Sequence, residues 1–94
     1  MAHILIHHKI EEYNKWKPAF DNHSDARAEN GSKGGKVFRN ADDPNDIFVL
    51  LEISSIENAK KFVSSDSTRE AMKNAGVIGM PEIYFIEEIA ETSE

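Results

Sequence analysis

Cysteine is absent from the 94-residue sequence, and neither a basic surplus nor a long apolar run is present. Without cysteine the chain forms no disulfide or thiolate metal site and has no thiol nucleophile, which is typical of a reducing compartment. The 17 acidic residues outnumber the 11 lysines and arginines, so the net charge is -6. Nucleic acids and anionic membranes bind clustered positive charge, and we therefore expect neither as a partner.

The start of the chain carries no targeting pattern. Met1 leads almost directly into a strand pattern, without the basic region, apolar core and small-residue cleavage site of a signal peptide. No apolar run approaches the roughly 20 residues of a membrane span. We expect a cytoplasmic protein with one domain, residues 1–94, that buries roughly 65% of its unfolded surface around a thin core.

The spacing of apolar residues and turn formers predicts four strands and two helices. The predicted strands are 2–10, 36–40, 47–53 and 82–90. Helices are predicted over 11–30 and 54–76, the second with a break at 64–68, and loops over 40–46 and 76–81. The order β-α-β-β-α-β predicts a ferredoxin-like α+β sandwich, a four-stranded antiparallel sheet with two helices on one face.

The third predicted strand, IFVLLEI over 47–53, is apolar on both faces except at Glu52. Because side chains alternate along a strand, Phe48 and Leu50 lie opposite Val49 and Leu51. Two helices cover one face only, and a large exposed apolar patch usually marks an interface. We therefore expect a homodimer in which the two sheets pack face to face.

The four histidines lack the spacing of a metal site. His3 and His7 share a strand face but lie roughly 13 Å apart along it, and no HExxH or HxxEH run occurs. Their expected role is a polar lining of the dimer interior. His8 faces the helices, where a cleft could open, and is the stronger candidate for proton transfer because imidazole titrates near neutral pH.

The first predicted helix carries Trp16, Phe20, His23 and Arg27 on one stripe. In one interpretation the two aromatic residues are core, and His23 and Arg27 mark its solvent edge. In the other, they form a small-molecule pocket in which Arg27 binds a carboxylate or enolate. Tyr84 of the fourth strand could add a phenol donor.

The second interpretation predicts a site between the first helix and the sheet. Its candidate catalytic residues are His8, His23, Arg27 and Tyr84, and its candidate ligand-binding residues are Trp16 and Phe20. No nucleophile elbow, P-loop or GxGxxG motif is present. We expect no cofactor, and specifically no haem, flavin or stoichiometric metal.

The sequence resembles the small dimeric α/β-barrel proteins over HILIHHKIEEYNKWKPAFDNHSDARAENGSKGGKVFRNADDPND, FVLLEISSIENAKKFVSSDSTREAMKNAGV and PEIYFIEEI, which is essentially the whole chain. Within them it is most similar to stand-alone members near the antibiotic-biosynthesis-monooxygenase and polyketide-cyclase groups. The resemblance implies a homodimer whose sheets close a barrel, with a small-molecule cleft between each sheet and its helices.

The resemblance leaves the chemistry open, since this superfamily hosts many activities. Haem-linked members have a histidine on or after the second helix, and residues 54–81 contain none. His3 matches one histidine of cyclase-like members, whose second histidine is missing; Trp16, Tyr84 and Arg27 are residue types that cofactor-free monooxygenase-like members use. The expected function is monooxygenase-like or cyclase-like chemistry on a small aromatic or polyketide-like compound. The alternative is a non-catalytic ligand-binding or structural dimer.

Overall fold

Four strands form one antiparallel sheet in the computed structural model, which describes residues 1–93. The strands are β1 (Ala2–Ile10), β2 (Ser32–Asn40), β3 (Asp43–Ile53) and β4 (Val77–Glu87), arranged β2-β3-β1-β4. The helices are α1 (Tyr13–Asn22), α2 (Ser24–Glu29), α3 (Ile56–Ser64) and α4 (Asp66–Asn74). The ferredoxin-like α+β fold that the sequence predicts is confirmed.

The hydrophobic core lies between the sheet and the helices. Ile6 of β1 pairs with Val49 of β3, and both side chains face the helices and are buried. Other buried core residues are Ile4, Ile10, Trp16, Ile47, Leu51, Ile53, Ala59 and Ala75. Each fully buried large apolar side chain contributes about 1.5–3 kcal/mol, so this layer accounts for the position of the helices.

Each predicted helix is divided in two. The division of the second, at Ser65, falls inside the predicted break, and the Ser65 hydroxyl caps α4 by accepting from the Thr68 N–H. The prediction of a single helix over 11–30 is wrong, because α1 ends at Asn22 and His23 separates it from α2. At this point the Phe20 carbonyl accepts hydrogen bonds from the His23 N–H and from the Arg27 side chain. These two bonds replace the regular backbone hydrogen bonding of a continuous helix.

Three strands begin earlier than predicted. The β2–β3 pairing continues to Asn40 and Asp43, so most of the predicted loop over 40–46 is strand. Likewise, Val77 pairs with Ile10, and the predicted loop over 76–81 is the first half of β4. Backbone pairing with a neighbouring strand overrides the local turn-forming preference of these residues.

The face of the sheet turned away from the helices, here called the open face, carries a mixture of apolar and charged side chains. Its large apolar members are Leu5, Phe38, Phe48, Leu50, Tyr84 and Ile86. Phe38 and Tyr84 are each 48% exposed. Within residues 1–93, none of the helices is long and apolar enough to cross a membrane.

Candidate functional site

A row of three rings runs along the helix side of the sheet. Trp16 of α1 is 2% exposed and stacks on Phe20 with ring centroids 4.8 Å apart. The ring of His8, from β1, lies 5.6 Å from that of Trp16 and is tilted against it. The structure therefore places three of the sequence-predicted residues in contact, at the packed centre of the fold.

His8 is a buried imidazole without a hydrogen-bond partner. It is 6% exposed, and neither ring nitrogen is paired within the described residues. Burial and, to a lesser extent, the charge of His7 lower the pKa of His8 to about 4, although Asp46 opposes the shift. His8 is therefore neutral at pH 7. An unpaired buried polar group is costly, so His8 has spare capacity to hydrogen-bond a ligand or water.

His23 and Arg27 meet at the junction of α1 and α2. The Nε2 atom of His23 is buried and has no hydrogen-bond partner in the part of the chain that the structure describes, and the His23 ring lies 5.7 Å from that of Phe62. Arg27 Nη1 donates to the Phe20 carbonyl at 2.6 Å, and its guanidinium lies 3.6 Å from the centroid of the Phe20 ring. Burial lowers the pKa of Arg27, and Asp21 opposes this shift.

A cavity of about 70 Å³ adjoins these groups. Phe20, His23 and Arg27 line it from one side, and Thr68 and Met72 of α4 line it from the other. Three of the six predicted site residues therefore share one cavity. His8 and Trp16 are not among its lining residues, and they extend the row of rings away from it.

The predicted position of Tyr84 beside these residues is wrong. Tyr84 pairs with Leu5 and lies on the open face, where its hydroxyl donates to Glu82 at 3.0 Å. Strand alternation explains the error, because its neighbours Ile83 and Phe85 are the residues of β4 that pack on the core. Tyr84 therefore lies on the side of the sheet opposite the cavity.

A polar cluster on the open face was not predicted from the sequence. His7 bonds Asp46 through Nε2 at 2.6 Å and Glu82 through Nδ1 at 2.7 Å, and its ring stacks on Phe48 at 4.2 Å. The Asn40 side chain donates to Asp46 at 3.2 Å. Only the strand register brings these residues together, since His7 and Glu82 are 75 positions apart.

The charge state of this cluster follows from its hydrogen bonds. Burial lowers the pKa of His7, but the hydrogen bonds to Asp46 and Glu82 outweigh it and raise the pKa above 6.5. The pKa of Asp46 is lowered by Asn40 and His7, and that of Glu82 by Tyr84 and His7. Among residues 1–93, no three histidine or acidic side chains are grouped in a way that could bind a metal ion.

The fold is shared with structures described as antibiotic biosynthesis monooxygenases. A proposed member from Bordetella bronchiseptica superposes with a TM-score of 0.78 at 10% identity, covering 95% of this chain and 97% of that one. A proposed member from Caulobacter crescentus CB15 gives 0.71 at 16%, covering 95% and 90%. SnoaB from Streptomyces nogalater, described as a cofactor-independent oxygenase, gives 0.76 at 9%, covering 99% and 97%.

These comparisons establish the fold. No family model matches the sequence, and no curated protein is significantly similar to it. The resemblance to the antibiotic-biosynthesis-monooxygenase group is confirmed at the level of three-dimensional structure.

Proposed function

We propose that the protein is a cofactor-independent enzyme, monooxygenase-like or cyclase-like, that acts on a small aromatic or polyketide-like compound. The observation that carries this proposal is the convergence of Phe20, His23 and Arg27 on one cavity. The description of SnoaB as a cofactor-independent oxygenase supports the reaction class.

Both reaction types begin with removal of an acidic proton, and the cavity has groups suited to that step. His23 Nε2 would accept the proton of a phenol or an activated C–H. Arg27 uses Nη1 on the Phe20 carbonyl, so its other N–H groups would stabilise the anion that forms. Phe20 and Met72 would contact the apolar ring of the substrate.

Substrate binding would require Met72 to move. The cavity of about 70 Å³ is smaller than the roughly 300–1,000 Å³ of most ligand sites. Met72 also lines a larger groove beside it, and methionine side chains adapt readily to new surroundings. A change of the Met72 rotamer would therefore enlarge the space next to His23.

We also propose that the protein is a homodimer of the cytoplasm. The helices leave Leu5, Phe48 and Leu50 on the open face without a covering layer, and a second copy would bury them. Such pairing would enlarge the thin core of a small chain. The lack of cysteine supports a cytoplasmic location, because disulfides are rare in reducing compartments.

The experiment that tests the activity compares three proteins on a panel of small phenols and polyketide-like anthrones. Oxygen consumption and product formation are measured for the wild type, His23→Gln and Lys33→Gln. Lys33 is exposed on β2, is not among the residues that line the cavity, and serves as the control. We expect the wild type and the control variant to turn over a compound of the panel, and His23→Gln to have lost this activity. Equal turnover in His23→Gln and the wild type would contradict the assignment.

One observation favours the alternative, a non-catalytic ligand-binding or structural dimer. The bond of Arg27 to the Phe20 carbonyl and its stacking on the Phe20 ring fasten the junction of α1 and α2, which is a structural task. If that is the whole role of Arg27, no compound in the panel will turn over, and none will raise the melting temperature through this cavity. A bound ligand at 100 times its Kd would otherwise stabilise by about 2.7 kcal/mol.

A further inference from the structure

A groove of about 370 Å³ lies between α4 and the first half of β4. Its wall is mainly apolar and includes Val63, Met72, Val77, Pro81 and Ile83. It shares Met72 with the candidate site but none of His8, Trp16, Phe20, His23 and Arg27. Its volume falls within the range of small-molecule sites, and an apolar wall with a few charged groups is their usual composition.

Two cations, Arg69 and Lys73, complete the lining of the groove. They are four residues apart on α4, and are therefore neighbours on the helix surface. Like charges at this spacing repel each other and destabilise the helix. An anion bound between them would relieve that repulsion.

Neither cation is neutralised within the described residues. Arg69 and Lys73 form no ion pair and no side-chain hydrogen bond in residues 1–93, although the chain has 17 acidic residues. Three other helical lysines behave differently and pair with a carboxylate four residues away at 2.6 to 3.8 Å, namely Lys15, Lys17 and Lys61. Arg69 and Lys73 thus place two cations without an ion pair on one helix, beside an apolar groove.

We propose that this groove binds an amphipathic organic anion. Its apolar body would lie against Met72, Val77 and Ile83, and its head group would be bound by Arg69 and Lys73. Arginine suits this role because its guanidinium fork donates two parallel hydrogen bonds to a carboxylate, sulfonate or phosphate. The proposal does not depend on the proton transfer proposed for His23, because binding is measured without turnover.

Two fluorescent probes with the same rings separate the head group from the body. 1-Anilinonaphthalene-8-sulfonate carries an anionic group, and N-phenyl-1-naphthylamine lacks it. Each is titrated into the wild type, Arg69→Gln/Lys73→Gln and a control, Lys33→Gln/Arg39→Gln. The control removes the same two charges from exposed positions of β2. Arg69 and Lys73 are also exposed, so both double variants are expected to fold, which circular dichroism verifies.

We expect the Kd of the sulfonate to rise about tenfold in the α4 variant, since charged hydrogen bonds are lost. The naphthylamine should bind the wild type and the α4 variant within a factor of about two, and the control should match the wild type. An unchanged Kd for the sulfonate would show that the probe binds elsewhere, and would overturn the proposal. An equal loss of both probes, or a loss as large in the control, would also overturn it, as would a wild type that binds neither probe.

Discussion

The Nε2 atom of His7 lies 2.6 Å from a carboxylate oxygen of Asp46, across the β1–β3 pair on the open face. Glu82 occupies the other ring nitrogen at 2.7 Å. A neutral imidazole has one N–H, whereas the imidazolium has two, so two carboxylate partners favour the protonated form. Through its hydrogen bonds, this cluster joins β3, β1 and β4 across the face that we propose as the dimer interface.

The pH dependence of this cluster can be derived from the signs of its pKa shifts. The pKa of folded His7 is raised above its ordinary value of 6.5, despite a lowering by burial, through its bonds to Asp46 and Glu82. Its contribution to stability is therefore complete below pH 6.5 and lost as the pH rises through the raised value. Asp46→Asn should bring the pKa of His7 back toward 6.5, and NMR titration of the histidine ring protons measures it. A His7 pKa equal to that of the wild type would contradict the role of Asp46.

His8 gives the opposite dependence. Its folded pKa is lowered to about 4, mainly by burial, so its protonation opposes folding as the pH falls from 6.5 toward 4. A difference of that size corresponds to a loss of about 3 kcal/mol in the free energy of unfolding over this range. Urea unfolding at several pH values should show a smaller loss for His8→Phe, which removes the titrating group but keeps an aromatic ring. If the free energy of unfolding fell equally with pH in the wild type and in His8→Phe, the contribution of His8 would be refuted.

The sequence predicts what depends on local periodicity. The alternation in β1 and β3 correctly separates Ile6 and Val49 from Leu5 and Leu50, and so predicts which face is core. The break before α4, at Ser65, also lies within the predicted break at 64–68. Local periodicity does not predict contacts that depend on strand register. The hydrogen bond between His7 and Glu82 is an example, because it joins residues 75 positions apart.

The part of the site that was predicted correctly also depends on local periodicity. Phe20, His23 and Arg27 come together because they lie on consecutive turns of one segment, which the sequence displays. Tyr84 was included for its residue type, as a hydrogen-bond donor, and the start of its strand was predicted at 82 in place of 77. Because Ile83 and Phe85 pack on the core, Tyr84 between them points to the other face of the sheet.

The proposed dimer is tested by placing a charge in the centre of the open face. Leu5→Glu, whose paired residues Leu50 and Tyr84 are not cations, would put an unpaired carboxylate into the interface. This costs several kcal/mol and should convert the dimer to a monomer. Sedimentation velocity at micromolar concentration measures the change. Ala41→Glu, an exposed position in the β2–β3 turn, adds the same charge outside this face and should leave the dimer intact. A wild type that sediments as a monomer would refute the dimer itself.

Arg27 allows the structural and catalytic roles to be separated. Arg27→Ala removes the hydrogen bond to Phe20 and the stacking on its ring, which together are worth about 1–3 kcal/mol. For a chain of this size each kcal/mol lowers the melting temperature by about 4–8 °C, which calorimetry detects readily. Arg39→Ala, an exposed arginine of β2, provides the control and should melt close to the wild type.

The catalytic part of the prediction concerns the same variant at a temperature where it remains folded. If Arg27 stabilises a substrate anion, Arg27→Ala should lower kcat/KM by about tenfold or more there, while Arg39→Ala keeps wild-type activity. A lower melting temperature with unchanged kcat/KM would show that Arg27 stabilises the junction of α1 and α2 and has no catalytic role. An unchanged melting temperature would instead contradict the energetic value of the Phe20 contact, because the 2.6 Å bond and the stacked ring would then contribute nothing to folding.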